Sequence, residues 1–127
     1  MMKKLLFALT LLLSNAFAQT SLTGTVTLNG SVESDAGGKH YVLLSWSDET
    51  SPTISFRVYR STTSGGPYTQ VMSGIATLSY TDLNVPSNAT FYYVCTAYDS
   101  STNSESAYSN QFAANSQPIF PINGGHE

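Results

Sequence analysis

The sequence is poor in cysteine and in positive charge, and both shortages limit what the protein can be. Cys95 is its only cysteine, so no disulfide can form within the chain and the fold depends on its apolar core. An odd cysteine could still pair between two chains. Five lysines and arginines stand against eight carboxylates, and no basic stripe occurs. We therefore exclude nucleic acid and anionic membrane surfaces as partners.

Residue types that carry catalysis or hold metals are also scarce. His40 and His126 are the only histidines, and His40 borders a strand pattern, which favours a strand-edge role. Asp48 and Glu49 are adjacent and would point apart, whereas paired carboxylate chemistry needs facing groups. No GxSxG elbow accompanies the many serines. We expect no enzymatic activity, no metal site and no cofactor.

The first twenty residues, MMKKLLFALTLLLSNAFAQT, have the order of a secretory signal peptide. Lys3 and Lys4 precede an apolar run at 5–13 that is too short to span a bilayer. The AFA at 16–18 supplies the small residues of a cleavage site. We predict a leader at 1–18, a mature chain starting at Gln19, and export to the periplasm or the extracellular space. The mature chain keeps three cations against eight anions, a net charge of −5, and we expect no membrane insertion after cleavage.

Beyond the leader, apolar and polar residues alternate in short segments separated by turns. A first strand is predicted near 22–28, and Val42, Leu44 and Trp46 share one face of a second. Residues 90–98 (TFYYVCTAY) are rich in β-branched and aromatic side chains, which favours another strand, and a last strand is predicted at 107–113. Six or seven such strands, with turn signals about every ten residues, predict an all-β sandwich.

The tract RVYRSTTSGGPYTQV at 57–71 sets two cations beside glycine and proline, which raises the question of an anion site. A phosphate cradle would need a helix behind it, and no helical periodicity follows. Gly65, Gly66 and Pro67 are turn-forming residues, and alternating segments flank them on both sides. The tract is predicted to be a hairpin turn.

Six segments of the chain follow one another in an order known from one protein family. They are LLSW at 43–46, FRVYR at 56–60, the turn at 61–68, SYTD at 79–82, TFYYVCTA at 90–97 and ESAYSN at 105–110. Together, over residues 38–114, they resemble a fibronectin type III domain. The resemblance implies an immunoglobulin-like, seven-stranded antiparallel β-sandwich. A polar segment with the first strand (19–37) would precede it, and a flexible tail (115–127) would follow.

Two positions depart from the family's pattern. The family usually has a tyrosine at the turn into the sixth strand, where its hydroxyl bonds backbone upstream, and this chain has Phe91. Losing such a bond forgoes about 1 kcal/mol. Cys95 stands where an inward valine is common and shares a face with Phe91, Tyr93 and Ala97. We interpret it as a small core residue rather than a reactive thiol.

The resemblance also places the third and sixth strands side by side in one sheet. Their outward residues would then be Arg57 and Tyr59 on one strand, and Tyr92, Val94, Thr96 and Tyr98 on the other. Tyrosine and arginine are enriched at interaction hot spots, so we predict a binding surface of Arg57, Tyr59, Tyr92 and Tyr98. The alternative is that these cross-strand pairs only stabilise the sheet.

The predicted function is that of a non-catalytic, exported binding or adhesion module. Its partner would be a protein or a polysaccharide at the cell envelope. The alternative is structural. The segment at 20–32 alternates in polarity and carries almost no charge, so it could add as a strand to a neighbour's sheet edge. The protein would then self-associate as a subunit of a surface or filament assembly.

Overall fold

The computed structural model describes residues 26–48 and 53–117, so the predicted leader at 1–18 lies outside the described residues. The regular secondary structure of the described residues consists of strands, and none of these residues belongs to a helix that could cross a membrane. The strands are β1 (Thr27–Ser34), β2 (His40–Ser47), β3 (Ile54–Ser61), β4 (Thr69–Ile75), β5 (Ser79–Asp82), β6 (Ala89–Asp99), β7 (Ser104–Glu105) and β8 (Phe112–Ser116).

The strands form two antiparallel sheets, which confirms the predicted fold class. One sheet has the order β1-β2-β5, and the other has the order β4-β3-β6-β7, with β8 also paired to β6. Because β3 pairs with one edge of β6 over residues 92–99, β7 and β8 share its other edge. They are two pieces of one final strand, separated by an irregular segment at 106–111. Counted together they make the seventh strand of the sandwich.

The core lies between the two sheets and is formed by the apolar residues that alternate with polar ones along the strands. Val42, Leu44 and Trp46 point inward from β2, and the Trp46 and Phe56 rings lie 5.4 Å apart between centroids. Each such side chain contributes roughly 1.5–3 kcal/mol when fully buried. The remaining buried members of the core are Val26, Leu28, Val58, Val85, Tyr93, Cys95, Ala97 and Ala114.

The first strand ends later than predicted. It spans Thr27–Ser34 and so continues past the predicted end at residue 28, and it pairs with β2 from Thr27 opposite Ser47 to Ser34 opposite His40. Residues 22–25 of the predicted strand lie outside the described residues. Pairing with β2 decides its end, since the polar residues after Leu28 have little strand propensity of their own. The sandwich therefore begins before residue 38. Residues 27–32 of the segment proposed for strand donation are already paired within this chain, and residues 20–25 lie outside the described part.

The last strand also differs from the prediction. Residues 107–111 are irregular, and the regular pairing resumes only at Phe112–Ser116. Serine side chains explain the difference, because Ser109 Oγ accepts the hydrogen bond of the Cys95 N–H in place of a strand carbonyl. Side chains of this kind compete with backbone ladders.

The tract at 57–71 is the predicted turn between β3 and β4. Gly65 and Gly66 have φ angles of 84° and 92°, a region that favours glycine. The Gly66 N–H donates to the Thr63 carbonyl over 3.0 Å. The strand-edge role of His40 is confirmed as well, since it begins β2 with its buried ring between Ser34 Oγ and the Gln117 carbonyl, each at 2.8 Å.

Candidate binding surface

The four residues predicted as a binding surface lie on adjacent strands of the five-stranded sheet. Arg57 and Tyr59 belong to β3, and Tyr92 and Tyr98 belong to β6. The Arg57 guanidinium lies 3.9 Å from the centroid of the Tyr98 ring, within range of a cation–π interaction. Tyr92 lies opposite Ser61, near the start of β6 and away from Tyr98. Within the described residues no hydrogen bond or ring contact joins Tyr92 to the other three.

The face is less exposed than the sequence indicates. Val94 and Thr96, expected to point into solvent, are 2% and 1% exposed. Val94 lies directly opposite Tyr59, and Thr96 lies directly opposite Arg57. Residues opposite one another on a sheet face are close enough for long side chains to cover short ones. The exposed surface is therefore a second layer of side chains above β3 and β6.

Glu105 of β7 joins the members of this layer. Its Oε1 accepts a 2.7 Å hydrogen bond from Arg57 Nη1, and its Oε2 accepts hydrogen bonds from Thr96 Oγ1 and the Tyr59 hydroxyl. Burial raises the pKa of Glu105, but hydrogen bonds from Thr96 and Tyr59 and the charge of Arg57 outweigh it, so the net pKa is below the ordinary value. The side chain is an anion at neutral pH.

Three tyrosines, Tyr59, Tyr68 and Tyr108, form a cluster that we call the tyrosine cluster. The Tyr108 ring lies between the other two, 5.2 Å from each centroid and at interplanar angles of 69° and 71°. Such edge-to-face contacts are favourable geometries for aromatic pairs. Tyr108 is 48% exposed. The cluster therefore presents one ring to solvent on two supporting rings.

The segment that carries Tyr108 is fastened to β6. The Ser109 N–H donates to the Cys95 carbonyl and Ser109 Oγ accepts the Cys95 N–H, both at 2.9 Å. Ser106 repeats the arrangement with Ala97, at 2.9 and 3.0 Å. Tyr108 is thus held on both sides by residues bonded to a central strand.

Gln111 fixes the other end of the cluster. Its Oε1 accepts hydrogen bonds from the Gly65 N–H at 2.8 Å and from the Tyr68 hydroxyl at 2.6 Å. Its Nε2 donates to Ser64 Oγ over 3.2 Å. The side chain therefore ties the turn at 61–68 to the segment at 106–111, which brings Tyr68 against Tyr108.

Of the residues that Glu105, the tyrosine cluster and Gln111 join, the sequence indicated Arg57 and Tyr59 as binding residues. It did not indicate Glu105, Tyr68, Tyr108 or Gln111. Both missed tyrosines stand in segments that carry the family resemblance, so their positions were visible. What was not visible is that the turn at 61–68 meets the segment at 106–111, because that contact depends on side chains more than forty residues apart. Within residues 26–48 and 53–117 no three metal-binding side chains cluster.

Comparison with known proteins agrees with this architecture. No family model matches the sequence. An amylopullulanase of Thermoanaerobacter thermohydrosulfuricus is 40% identical over 85 residues, which are 67% of this chain but only 6% of that protein. The solved Fn3-like protein of Clostridium thermocellum is 30% identical, with a TM-score of 0.56 over 73% of this chain and 93% of its own. A human fibronectin type III domain, 17% identical, shares the fold at a TM-score of 0.63, over 85% of this chain and 84% of its own. The protein belongs to the fibronectin type III family.

Proposed function

We propose that the protein is an exported, non-catalytic binding module that holds a partner at the cell envelope through the tyrosine cluster. The observation that carries the proposal is Tyr108, a ring 48% exposed that two other rings support. Exposed tyrosines of this kind are typical binding hot spots. Because the ring is already fixed in place, little conformational entropy is lost on binding.

The electrostatics of the surface support a binding role over a catalytic one. Glu105 is engaged by three donors, Arg57, Tyr59 and Thr96. A general acid or base needs a pKa near the operating pH, whereas the pKa of Glu105 lies below its ordinary value. The carboxylate is suited to hold the rings in position.

The sequence comparison supports an accessory role beside a larger protein. A segment 40% identical to this chain makes up 6% of an amylopullulanase, which fits a module attached to a larger polysaccharide-acting protein. The predicted leader at 1–18 would direct this chain across the membrane. A polysaccharide and an envelope protein both remain compatible with this role.

The test measures retention of the mature chain, residues 19–127, on envelope material from the organism that encodes it. Tyr108→Ser is expected to weaken retention about thirtyfold, the effect of losing a hot spot of about 2 kcal/mol. Leu43→Ser is the matched control, because Leu43 is 40% exposed on the outer face of the other sheet. Equal retention of the two variants, or no retention of the wild-type chain, would contradict the proposal.

A further inference from the structure

A shallow depression lies beside Tyr108 and combines aromatic and polar walls. Its volume is about 510 Å³. The residues lining it are Tyr59, Thr96, Glu105, Ser106, Ala107 and Tyr108. Two of the lining residues are tyrosines in edge-to-face contact with one another, and a third carries the ionised carboxylate that joins the layer. The depression can therefore offer apolar surface and a hydrogen-bond acceptor to the same ligand.

Glu105 has acceptor capacity that its protein partners leave unused. A carboxylate offers about four lone-pair positions. Two donors, Tyr59 and Thr96, share Oε2, whereas Arg57 alone occupies Oε1. The Glu105 side chain is 30% exposed. One acceptor position on Oε1 is thus available to a hydroxyl or N–H group of a ligand.

Tyr108 supplies the complementary apolar contact. Its ring is 48% exposed, and its hydroxyl, unlike those of Tyr59 and Tyr68, bonds to no acceptor in the described part of the chain. A pyranose ring has apolar C–H faces that pack on an aromatic ring and hydroxyl donors around its rim. Resting on our proposed function, we infer that the ligand is a neutral polysaccharide, with one sugar ring between Tyr108 and Glu105.

The charges around the depression select against acidic ligands. An acidic sugar would meet the Glu105 carboxylate and a mature chain of net charge −5. Arg57, which contacts Glu105, is paired with that carboxylate at 2.7 Å and lies over Tyr98, so its charge is already engaged within the protein. An uncharged ligand avoids this repulsion.

The experiment compares neutral and acidic polysaccharides by affinity electrophoresis of the mature chain. The probes are pullulan and xylan as neutral polymers and polygalacturonate as the acidic one, with envelope material before and after protease treatment as a separate arm. The variants are Tyr108→Ser, Glu105→Gln and the control Leu43→Ser, each checked for cooperative unfolding. We expect retardation by a neutral polymer that falls about thirtyfold in Tyr108→Ser and about tenfold in Glu105→Gln. Leu43→Ser should bind as the wild-type chain does.

The arms separate the inference from the function on which it rests. Retardation by polygalacturonate alone, or envelope retention that protease removes, would overturn the neutral polysaccharide and leave the binding module standing. Equal retardation of Tyr108→Ser and wild type by the neutral polymers would also overturn it. Absence of retention on every polymer and on untreated envelope would overturn both.

Discussion

The hydroxyl of Tyr93 donates a 2.7 Å hydrogen bond to Oδ2 of Asp82, and the two residues are 0% and 3% exposed. Arg60 Nη1 donates to the same oxygen at 2.6 Å, and the Asn84 N–H donates to Oδ1 at 3.0 Å. The contacts fasten the connection after β5 to the centre of β6. Phe91, at the family's tyrosine position, instead packs with the Arg60 guanidinium 4.5 Å from its ring centroid.

Replacing Tyr93 with phenylalanine should destabilise the domain. The change leaves the Asp82 carboxylate buried with one donor fewer, and hydrogen bonds to charged groups contribute roughly 1.5–3 kcal/mol. Urea unfolding should show a loss of that size in the free energy of unfolding. Tyr108→Phe is the matched control and should change stability by less than about 0.5 kcal/mol. Equal stabilities of the two variants would mean that the buried hydrogen bond is energetically silent.

Acid should remove the stabilisation that Glu105 provides. Because the folded-state pKa is lower than the ordinary 4.5, the unfolded chain binds the proton more readily. The contribution is therefore complete above pH 4.5 and is lost as the pH falls through the folded-state pKa. The stability difference between the wild-type protein and Glu105→Gln should be constant near neutrality and shrink in acid. A stability difference that grows in acid would mean that folding raises the pKa of Glu105 instead of lowering it.

Gly30 of β1 should not tolerate a methyl group. A Cβ there would lie 2.7 Å from Cδ2 and Cε2 of the half-buried Phe112 ring. Overpacking of this kind costs roughly 1–3 kcal/mol, so Gly30→Ala should lower the thermal midpoint. Gly37→Ala is the control, because the nearest atom to its Cβ is Asp35 Oδ1 at 3.5 Å. Adding Phe112→Leu to Gly30→Ala should recover part of the lost thermal stability. If it does not, contact with the Phe112 ring is not the cause of the destabilisation.

Cys95 should be unreactive in the folded protein. The residue is 0% exposed, and burial raises the pKa of its thiol to about 11 despite a hydrogen bond with Ser109. The thiolate is the reactive form. A thiol reagent at neutral pH should therefore modify Cys95 only at the rate of unfolding, and urea should release it. Rapid labelling of the native protein would mean that the register assigned to β6 is wrong.

Gln111→Ala should weaken binding more than stability. The side chain is exposed, so its bonds to Gly65, Ser64 and Tyr68 contribute little to folding, but they hold Tyr68 against Tyr108. Releasing a side chain that must be reordered on binding costs about 0.5–1.5 kcal/mol, or about two- to tenfold in affinity. Affinity electrophoresis and urea unfolding separate the two effects. A variant that binds as the wild-type chain does would show that Tyr68 needs no support.

Prediction from sequence succeeded for the side chains that face the core. The inward positions of Val42, Leu44 and Trp46 follow from a period of two, as do those of Cys95 and Ala97. It missed the end of the first strand, because where an edge strand ends depends on its partner more than on its own residues.

By itself the sequence determined the fold class and the inward faces of the strong strands, because burial on one side imposes an alternation that is local and readable. It also indicated Arg57 and Tyr59 as outward residues. Only the tertiary structure decided that Val94 and Thr96 are covered, that Glu105 accepts a hydrogen bond from Tyr59, and that Tyr68 meets Tyr108. These contacts join residues distant in the chain through single side chains, and no periodicity records where two loops touch.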